Sequence, residues 1–208
     1  TAYIGYNNIL TEANPSEYST ENDADFPLSN ALNGNLYDVW KPTTSGNADA
    51  RFPFDSSVEL DYFAIYGHNM DSMFVRLERL ELHGGWQSVA LKISNVRGTI
   101  FVNFTPTSDA DWRLRFYNTN ADTYITSISA GKALQLNPLR VPFAPPPAAE
   151  NVEILNNYSV ENIPLGRVTR KAPFDIRIDQ TFVKQSWLDD HAQELIEHIN
   201  NKPFFFKW

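Results

Sequence analysis

The chain has 208 residues, of which 25 are acidic and 17 are basic, so its formal net charge is −8 and its isoelectric point is near 4.9. This charge disfavours nucleic acid and anionic membrane surfaces as partners, although a local basic patch is compatible with it. The absence of cysteine excludes disulfides and thiolate metal sites and is typical of a protein that folds in a cytoplasm. No apolar run approaches the ~20 residues of a membrane-spanning helix.

An irregular stretch, DFPLSNALNGNLYDVWKP, occupies residues 25–42. Its proline, glycine and asparagines predict a surface loop rather than a helix or a strand. The stretch nevertheless contains large apolar side chains, among them Phe26, Leu32 and Trp40. A loop with so much apolar surface requires a fold that can bury it.

Residues 58–128 contain short runs that alternate between apolar and polar positions, with turn residues between them. The runs VELDYFAIYGHN, TIFVNF, DWRLRFYN and TYITSI predict strands, and the first, apolar at both parities, is predicted to be covered on both faces. In MDSMFVRLERLELHGG (70–85) the alternation slips at Glu78–Arg79, which fits either a strand with a bulge or a short helix. We favour the strand, because the run ends in a hairpin-like Gly84–Gly85. Short strands at this spacing predict a sandwich or a barrel.

The last third of the chain differs in composition. The proline-rich residues 138–150 cannot lie inside a sheet and are predicted to be an extended linker. Residues 151–208 are predicted to form a small α+β segment, with a strand in APFDIRIDQTF, a terminal strand in PFFFKW and one helix at 186–200. Ser186 and Asp189 resemble a capping pair for this helix. Its predicted buried stripe consists of Leu188, Ala192, Leu195 and Ile199.

The order of NALNGNLYDVW, VELDYFAIYGHN, RLELHGGWQSV, DWRLRFYN and YITSISAGKAL resembles the order of signatures in discoidin-like, galactose-binding-like domains. The resemblance covers about residues 1–137. It implies a jelly-roll sandwich whose early loop wraps one end and turns its aromatic side chains inward, which would explain residues 25–42. The predicted fold is therefore mainly β: a discoidin-like jelly-roll β-sandwich over 1–137, followed by the small α+β C-terminal segment.

A second resemblance concerns the origin of the chain. FPLSNALNG, GHNM and the ending KPFFFKW resemble stretches of tailed-bacteriophage virion proteins. This implies a non-enzymatic structural component of a phage tail, made in the host cytoplasm, that joins other virion or tail proteins, or further copies of itself, through its C-terminal segment. The alternative is a carbohydrate-binding module that attaches a particle or an enzyme to a cell-surface glycan. Neither role involves nucleic acid or membrane insertion, and the fold alone cannot choose between them.

Candidate glycan-binding residues lie at or near the predicted turns. They are Tyr37, His68, Asn69, Trp86 and Arg97. Aromatic rings can stack on the C–H faces of sugars, and the polar side chains can hydrogen-bond to sugar hydroxyls. The structural alternatives are that His68 and Asn69 satisfy backbone groups of a tight turn and that Trp86 packs in the core.

Catalytic and metal-binding patterns are weak. No hydrolase, P-loop or metalloprotease motif occurs, so we expect no catalytic residues and no enzyme. His191, Glu194 and His198 share a helix face that could hold Zn²⁺ or Ni²⁺, but an ordinary charged, solvent-facing surface has the same pattern. The discoidin-like resemblance also implies a structural calcium in the early loop, where Asn33 replaces the family's acidic residue and Asn35 follows. Neutral oxygens bind Ca²⁺ poorly, so we expect no cofactor.

The chain ends in an aromatic cluster. Phe204, Phe205, Phe206 and Trp208 are difficult to bury completely in a small segment, and an exposed apolar patch of this kind indicates an interface. We expect the cluster either to pack under the helix or to dock on another chain.

Overall fold

The computed structural model describes residues 2–14, 23–43, 46–70, 73–94, 98–137, 151–161, 163–172 and 183–207. The described strands and α-helix are, in chain order, β1 (Ala2–Gly5), β2 (Gly46–His68), β3 (Met73–Leu80), β4 (Trp86–Ser94), β5 (Ile100–Thr119), β6 (Ile125–Gly131), β7 (Leu134–Leu136), β8 (Asn151–Tyr158), β9 (Pro164–Ala172), α1 (Gln185–Asn201) and β10 (Phe205–Lys207). Short 3-10 helices span Ile9–Glu12 and Leu28–Ala31. The predicted linker at 138–150 and most of the strand predicted in APFDIRIDQTF lie outside the described residues.

The fold is mainly β, a jelly-roll β-sandwich of antiparallel strands, as predicted. β2 and β5 are long and pair with each other, and β3, β4 and β6 extend them into a sheet of order β4-β3-β5-β2-β6. The register between β2 and β5 is interrupted between Pro53 and Val58 of β2. Side chains on both sides of this interruption share one hydrophobic core, so the strand pair folds over at this point, as bulged strands do. The largest side chains of that core are Trp40, Trp112, Phe52, Phe63 and Phe116.

The irregular stretch at residues 25–42 folds inward, which explains its composition. Leu28, Ala31 and Leu32 are buried and belong to the same core as the strands. Trp40 forms a bridge with Ile125, in which each backbone N–H donates to the carbonyl of the other residue at 2.8 and 3.0 Å. These two bonds satisfy the backbone of the loop where it enters the core, so its aromatic side chain can be buried without unpaired polar groups.

The segment with the slipped alternation is a strand, as we favoured. β3 lies between β4 and β5, and its register with β4 shifts between Leu77 and Glu78. Val75 and Leu77 face the core. Glu78 points to the opposite face and is still only 4% exposed, because Arg113 and Arg76 form ion pairs with its carboxylate. The apparent break in the pattern therefore marks a buried ion pair on the outer face of the sheet.

A second, three-stranded sheet of order β10-β1-β7 packs on the outer face of the β2 and β6 half of the sandwich. Tyr62 of β2 is at its centre: its hydroxyl bonds to Ser129 Oγ at 2.9 Å and donates to the carbonyl of Asn7 at 3.2 Å, while its ring stacks on Phe101. Phe205 of β10 makes an edge contact with Phe101. The strand predicted to be covered on both faces is covered in this way, since Tyr62 and Phe63 are both fully buried.

The compact units differ from the predicted domain division. Residues Thr1–Leu136 and Lys184–Trp208 form one unit, and Asn137–Val183 form the other. The terminal strand belongs with the sandwich because β10 pairs with one edge of β1, whose other edge pairs with β7. In the second unit, β8 and β9 form an antiparallel hairpin with Asn151 opposite Ala172.

The helix α1 is close to its predicted extent of 186–200, but its predicted cap is wrong and its predicted stripe is only half covered. Lys184 occupies the N-cap position and provides no side-chain cap, so Ser186 does not cap the helix. Ala192 and Leu195 of the predicted stripe are half-buried, and so are Trp187, His191 and His198. The ring of His198 packs on Tyr6, and the rings of Trp187 and His191 meet edge to face. Leu188 and Ile199 of that stripe are exposed. No helix in the described ranges has the length and hydrophobicity that a membrane crossing requires.

A Gly5→Ala variant tests the packing of the second sheet on the sandwich. A Cβ atom at residue 5 would lie 2.5 Å from Tyr62 Cε2 and 2.7 Å from Tyr62 Cζ, and this ring is held by its hydrogen bonds and by stacking. We expect the free energy of unfolding in urea to fall by about 1–3 kcal/mol, as for other overpacked cores.

The matched control is Gly85→Ala, because a Cβ atom there meets nothing within 4 Å and the backbone conformation suits alanine. Its free energy of unfolding should stay within about 0.5 kcal/mol of that of the parent chain. If Gly5→Ala were as stable as Gly85→Ala, β1 would not pack on Tyr62 as described.

Candidate ligand-binding surface

The residues predicted to bind a glycan lie at different ends of the sandwich. The antiparallel pair of β2 and β5 starts with Gly46 opposite Thr119. From there the pair runs to the fold-over at Pro53 and then turns back. His68 is the last residue of the returning half of β2, opposite Ile125, and Asn69 follows it. Trp86 begins β4 at the fold-over end, since Leu80 is its partner and the neighbouring Arg79 lies opposite Trp112. A single site cannot include both groups. Arg97 lies outside the described residues.

Trp86 is neither a core residue nor an open stacking platform. It is half-buried on the outer face of the sheet, with the guanidinium carbon of Arg113 4.1 Å from the centre of its ring. Arg113 is fixed there by bonds from Nε to Glu78 at 2.6 Å and from Nη1 to Asp49 at 3.0 Å. Because Arg113 covers one face of the indole, that face is closed to a sugar ring. The role of Trp86 here is to shield an ion-pair cluster from water.

An Arg113→Met variant tests this cluster. It leaves the Glu78 carboxylate buried without its main partner, so we expect a loss of about 3–5 kcal/mol in the free energy of unfolding. The double variant Arg113→Met, Glu78→Leu should recover most of that loss, because no buried charge remains. Denaturant titration of the parent chain and the variants measures both values. Equal instability of the single and double variants would contradict the ion-pair account.

His68 and Asn69 have structural positions. The Asn69 side chain donates to the carbonyl of Asp122 at 2.7 Å and accepts from the backbone N–H of Tyr124 at 2.9 Å, so it joins two turns. His68 is only 6% exposed. Burial lowers the pKa of its imidazole, and the nearby backbone of Gly98 offsets this only in part; neither ring nitrogen has a hydrogen-bond partner of good geometry among the described residues. His68 is thus buried, and Asn69 has the backbone role that was the structural alternative.

The lowered pKa of His68 predicts a pH-dependent stability. As pH falls, the unfolded state binds the proton before the folded state, so the contribution of His68 is complete above about pH 6.5 and is lost progressively below it. Urea denaturation between about pH 5 and pH 7.5 should show this decline, and His68→Gln should reduce its slope. The control is His83→Gln, which changes an exposed histidine. An identical slope in both variants would contradict the assignment.

The side chains of the loop at residues 33–38 are not arranged to coordinate calcium. Asn33 and Asn35 direct their side-chain N–H groups to Asp38 Oδ2 at 2.7 and 3.0 Å. Their carbonyl oxygens accept from the backbone N–H groups of Asn35 and Tyr37. Amide donors thus occupy the side of the carboxylate where a cation would bind, and these residues do not fit Ca²⁺. Tyr37 extends from this loop and is 95% exposed.

The three polar residues of the helix also have contacts within the chain. The ring of His198 packs edge to face on Tyr6, and His191 packs on Trp187, so the surface predicted to face solvent is partly covered. The pKa of Tyr6 is raised, chiefly by burial and then by the nearby Glu194. In the described part of the chain, no three histidine, aspartate or glutamate side chains are placed to hold a metal ion.

The aromatic end of the chain borders a groove that the sequence did not predict. The groove encloses about 570 Å³ between the terminal strand and the outer face of the sandwich. The exposed rings of Tyr66 and Phe204 line it, at 44% and 45% exposure. The other lining residues are Leu36, Lys92, Thr99, Phe101, Ser127, Pro203, Phe205, Phe206 and Lys207. Trp208, also predicted for an interface, lies outside the described residues.

A more polar cleft of about 460 Å³ lies on the other side of Pro203 and Phe205 and shares Ser127 with the groove. Its lining includes Tyr6, Asn7, Asn8, Asn33, Ser129 and His198. The sequence contained one signal for these surfaces. Tyr62 and Tyr66 occupy the parity opposite to the core residues Phe63 and Ile65, which places aromatic rings on the outer face of β2.

Comparisons with known proteins establish a fold and no family. No protein-family model matches the sequence, and no curated protein matches it. Among solved structures, SpGH29 is 17% identical, with a TM-score of 0.51 over 62% of this chain and 28% of that chain. A Ruminococcus gnavus GH29 fucosidase in complex with fucose is 12% identical, with a TM-score of 0.50 over 62% of this chain and 27% of that chain.

A family 32 carbohydrate-binding module of C. perfringens NanJ, in complex with galactose, is 14% identical, with a TM-score of 0.48 over 62% of this chain and 98% of that chain. The chain spans little more than a quarter of the length of the two GH29 proteins. At these identities the likeness concerns the fold, so the function has to be argued from the side chains of the groove.

Proposed function

We propose that this chain is a non-catalytic carbohydrate-binding module and that its glycan binds in the groove beside the terminal strand. The observation that carries the proposal is the pair of exposed aromatic rings, Tyr66 and Phe204, lining a groove to which the exposed Thr99 and the buried Ser127 also contribute. A sugar offers an apolar C–H face to an aromatic ring and hydroxyls to polar neighbours, so the groove has both kinds of partner.

The size and rigidity of the groove agree with this proposal. Its volume of about 570 Å³ lies in the range of about 300–1,000 Å³ found for small-ligand sites. Phe101 at its base is fixed by stacking on Tyr62 and by the edge of Phe205. A preformed aromatic surface lowers the entropy that is lost when a ligand binds.

The chemistry of the lining favours binding over hydrolysis. Glycoside hydrolysis generally requires two carboxyl groups, one on each side of the scissile bond. The residues described as lining the groove include no aspartate or glutamate. A β-sandwich of this kind matches part of a fucosidase determined with fucose, which agrees with a binding role alongside glycan-directed enzymes.

The module would attach whatever carries it to a glycan-bearing surface. A particle or an enzyme could use it in the same way, since the groove supplies affinity and no chemistry. The role of a structural protein in a phage tail, and the location in a virion, stay predictions, because neither the comparisons nor the described residues test them.

A glycan-array experiment with Tyr66→Ala and Phe204→Ala tests the proposal. The intact chain should bind at least one glycan saturably, and each variant should bind it about tenfold more weakly, because a lost aromatic contact is worth about 1–1.5 kcal/mol. Isothermal titration with the selected glycan measures the change in Kd.

Tyr37→Ala is the matched control, since it removes a fully exposed aromatic ring that does not line the groove. Its Kd should equal that of the parent chain. Binding that is lost in Tyr37→Ala and retained in Tyr66→Ala would place the site on the 33–38 loop instead. Absence of binding across bacterial and host glycans would refute the function.

A further inference from the structure

The groove carries positive charge in a chain whose formal net charge is −8. Lys92 of β4 and Lys207 of β10 both line it. The residues described as lining it include no carboxylate, so the two ammonium groups are not neutralised from within the groove. For an acidic protein, this is a local reversal of charge.

Several basic residues on the described surface have acidic partners, whereas these two lysines have none among the described residues. Lys132 pairs with Glu59 at 2.8 Å, Arg51 pairs with Asp111, and Arg113 pairs with Glu78. In the described part of the chain, Lys92 and Lys207 are within 4.0 Å of no aspartate or glutamate oxygen. Their charge is therefore available to a bound anion.

The position of Lys207 is fixed by a neutral group. Its Nζ donates to Asn103 Oδ1 at 3.0 Å and lies 5.8 Å from the centre of the Phe101 ring. An amide oxygen orients the ammonium group and leaves its charge unbalanced. The same Phe101 ring lies at the base of the groove, so this oriented charge stands beside the aromatic surface.

We infer that the glycan bound in this groove is an acidic saccharide, which carries a carboxylate or a sulfate on a ring that stacks against Tyr66 or Phe204. This inference rests on the proposed carbohydrate-binding function. An ammonium group pairs with an anion through a charge-assisted hydrogen bond, which is stronger than a bond between neutral groups. The net negative charge of the chain opposes such a ligand only weakly at a distance, because salt screens charges beyond about 8 Å at physiological ionic strength.

The test uses matched pairs of ligands. Oligosaccharides of galacturonate, glucuronate and mannuronate are each compared with their carboxyl-reduced, neutral counterparts, and a sulfated galactan with its desulfated form. Biolayer interferometry on the intact chain should show at least tenfold tighter binding of one or more acidic forms, since a single charge-assisted bond accounts for about that factor. The affinity difference should shrink as salt is raised.

Variants locate the charge that is responsible. Lys92→Gln should weaken binding of the acidic ligand about tenfold and leave binding of its neutral counterpart unchanged. Lys132→Gln is the control, because it removes the same charge from an exposed site outside the groove. An equal loss in Lys132→Gln would show a general charge effect and would overturn the assignment to the groove.

The remaining outcomes separate this inference from the proposed function. Equal binding of acidic and neutral forms, abolished by Tyr66→Ala, would overturn the acidic ligand and support carbohydrate binding. Binding of the sulfated form alone would support an acidic ligand and identify sulfate as its charged group. No binding of any acidic or neutral saccharide would overturn both.

Discussion

The close contact between β1 and the ring of Tyr62 determines how the rest of the chain is arranged. Residue 5 can approach this ring only because it is glycine. The contact brings β1 onto the outer face of the sandwich, and β1 in turn offers one edge to β7 and the other to β10. The terminal aromatic residues and the groove beside them exist only with this third layer in place. The proposed binding groove is thus formed by the layer added to the sandwich, while the loops at its ends have structural contacts.

Local patterns in the sequence predicted the elements well and their assembly only in part. Alternation identified β3, the second half of β2 and both ends of β5, although it did not predict the first half of β2 (46–57). Helical periodicity identified α1 to within one residue at each end. The resemblance to discoidin-like domains predicted that the irregular early stretch turns inward, as Trp40 does. The pairing of Tyr3 with Lys207 could not be predicted, because it depends on an open sheet edge rather than on any local pattern.

The predicted site was divided because sequence identifies turns without showing at which end of a sandwich they lie. β3 crosses the sheet once between His68 and Trp86, so the two turns lie at opposite ends. The contacts of these side chains could not be predicted from the sequence either. Asn69 bonds to backbone groups near residue 122, and Trp86 packs against an arginine of β5. The available signal was the alternation of β2, which places Tyr66 on the face opposite to the core residues. This signal indicates a groove only once β10 is known to lie beside Tyr66.

The pairing of β1 with β10 also has a consequence for synthesis on the ribosome. The partner strand β10 is translated about 200 residues after β1. Until residues 205–207 emerge, one edge of β1 has unpaired N–H and C=O groups, and an open edge can recruit a strand from another nascent chain. Contacts between such distant residues form slowly. Aggregation during expression should therefore depend on how quickly β10 becomes available, and slow translation of the residues between β1 and β10 would prolong the vulnerable state.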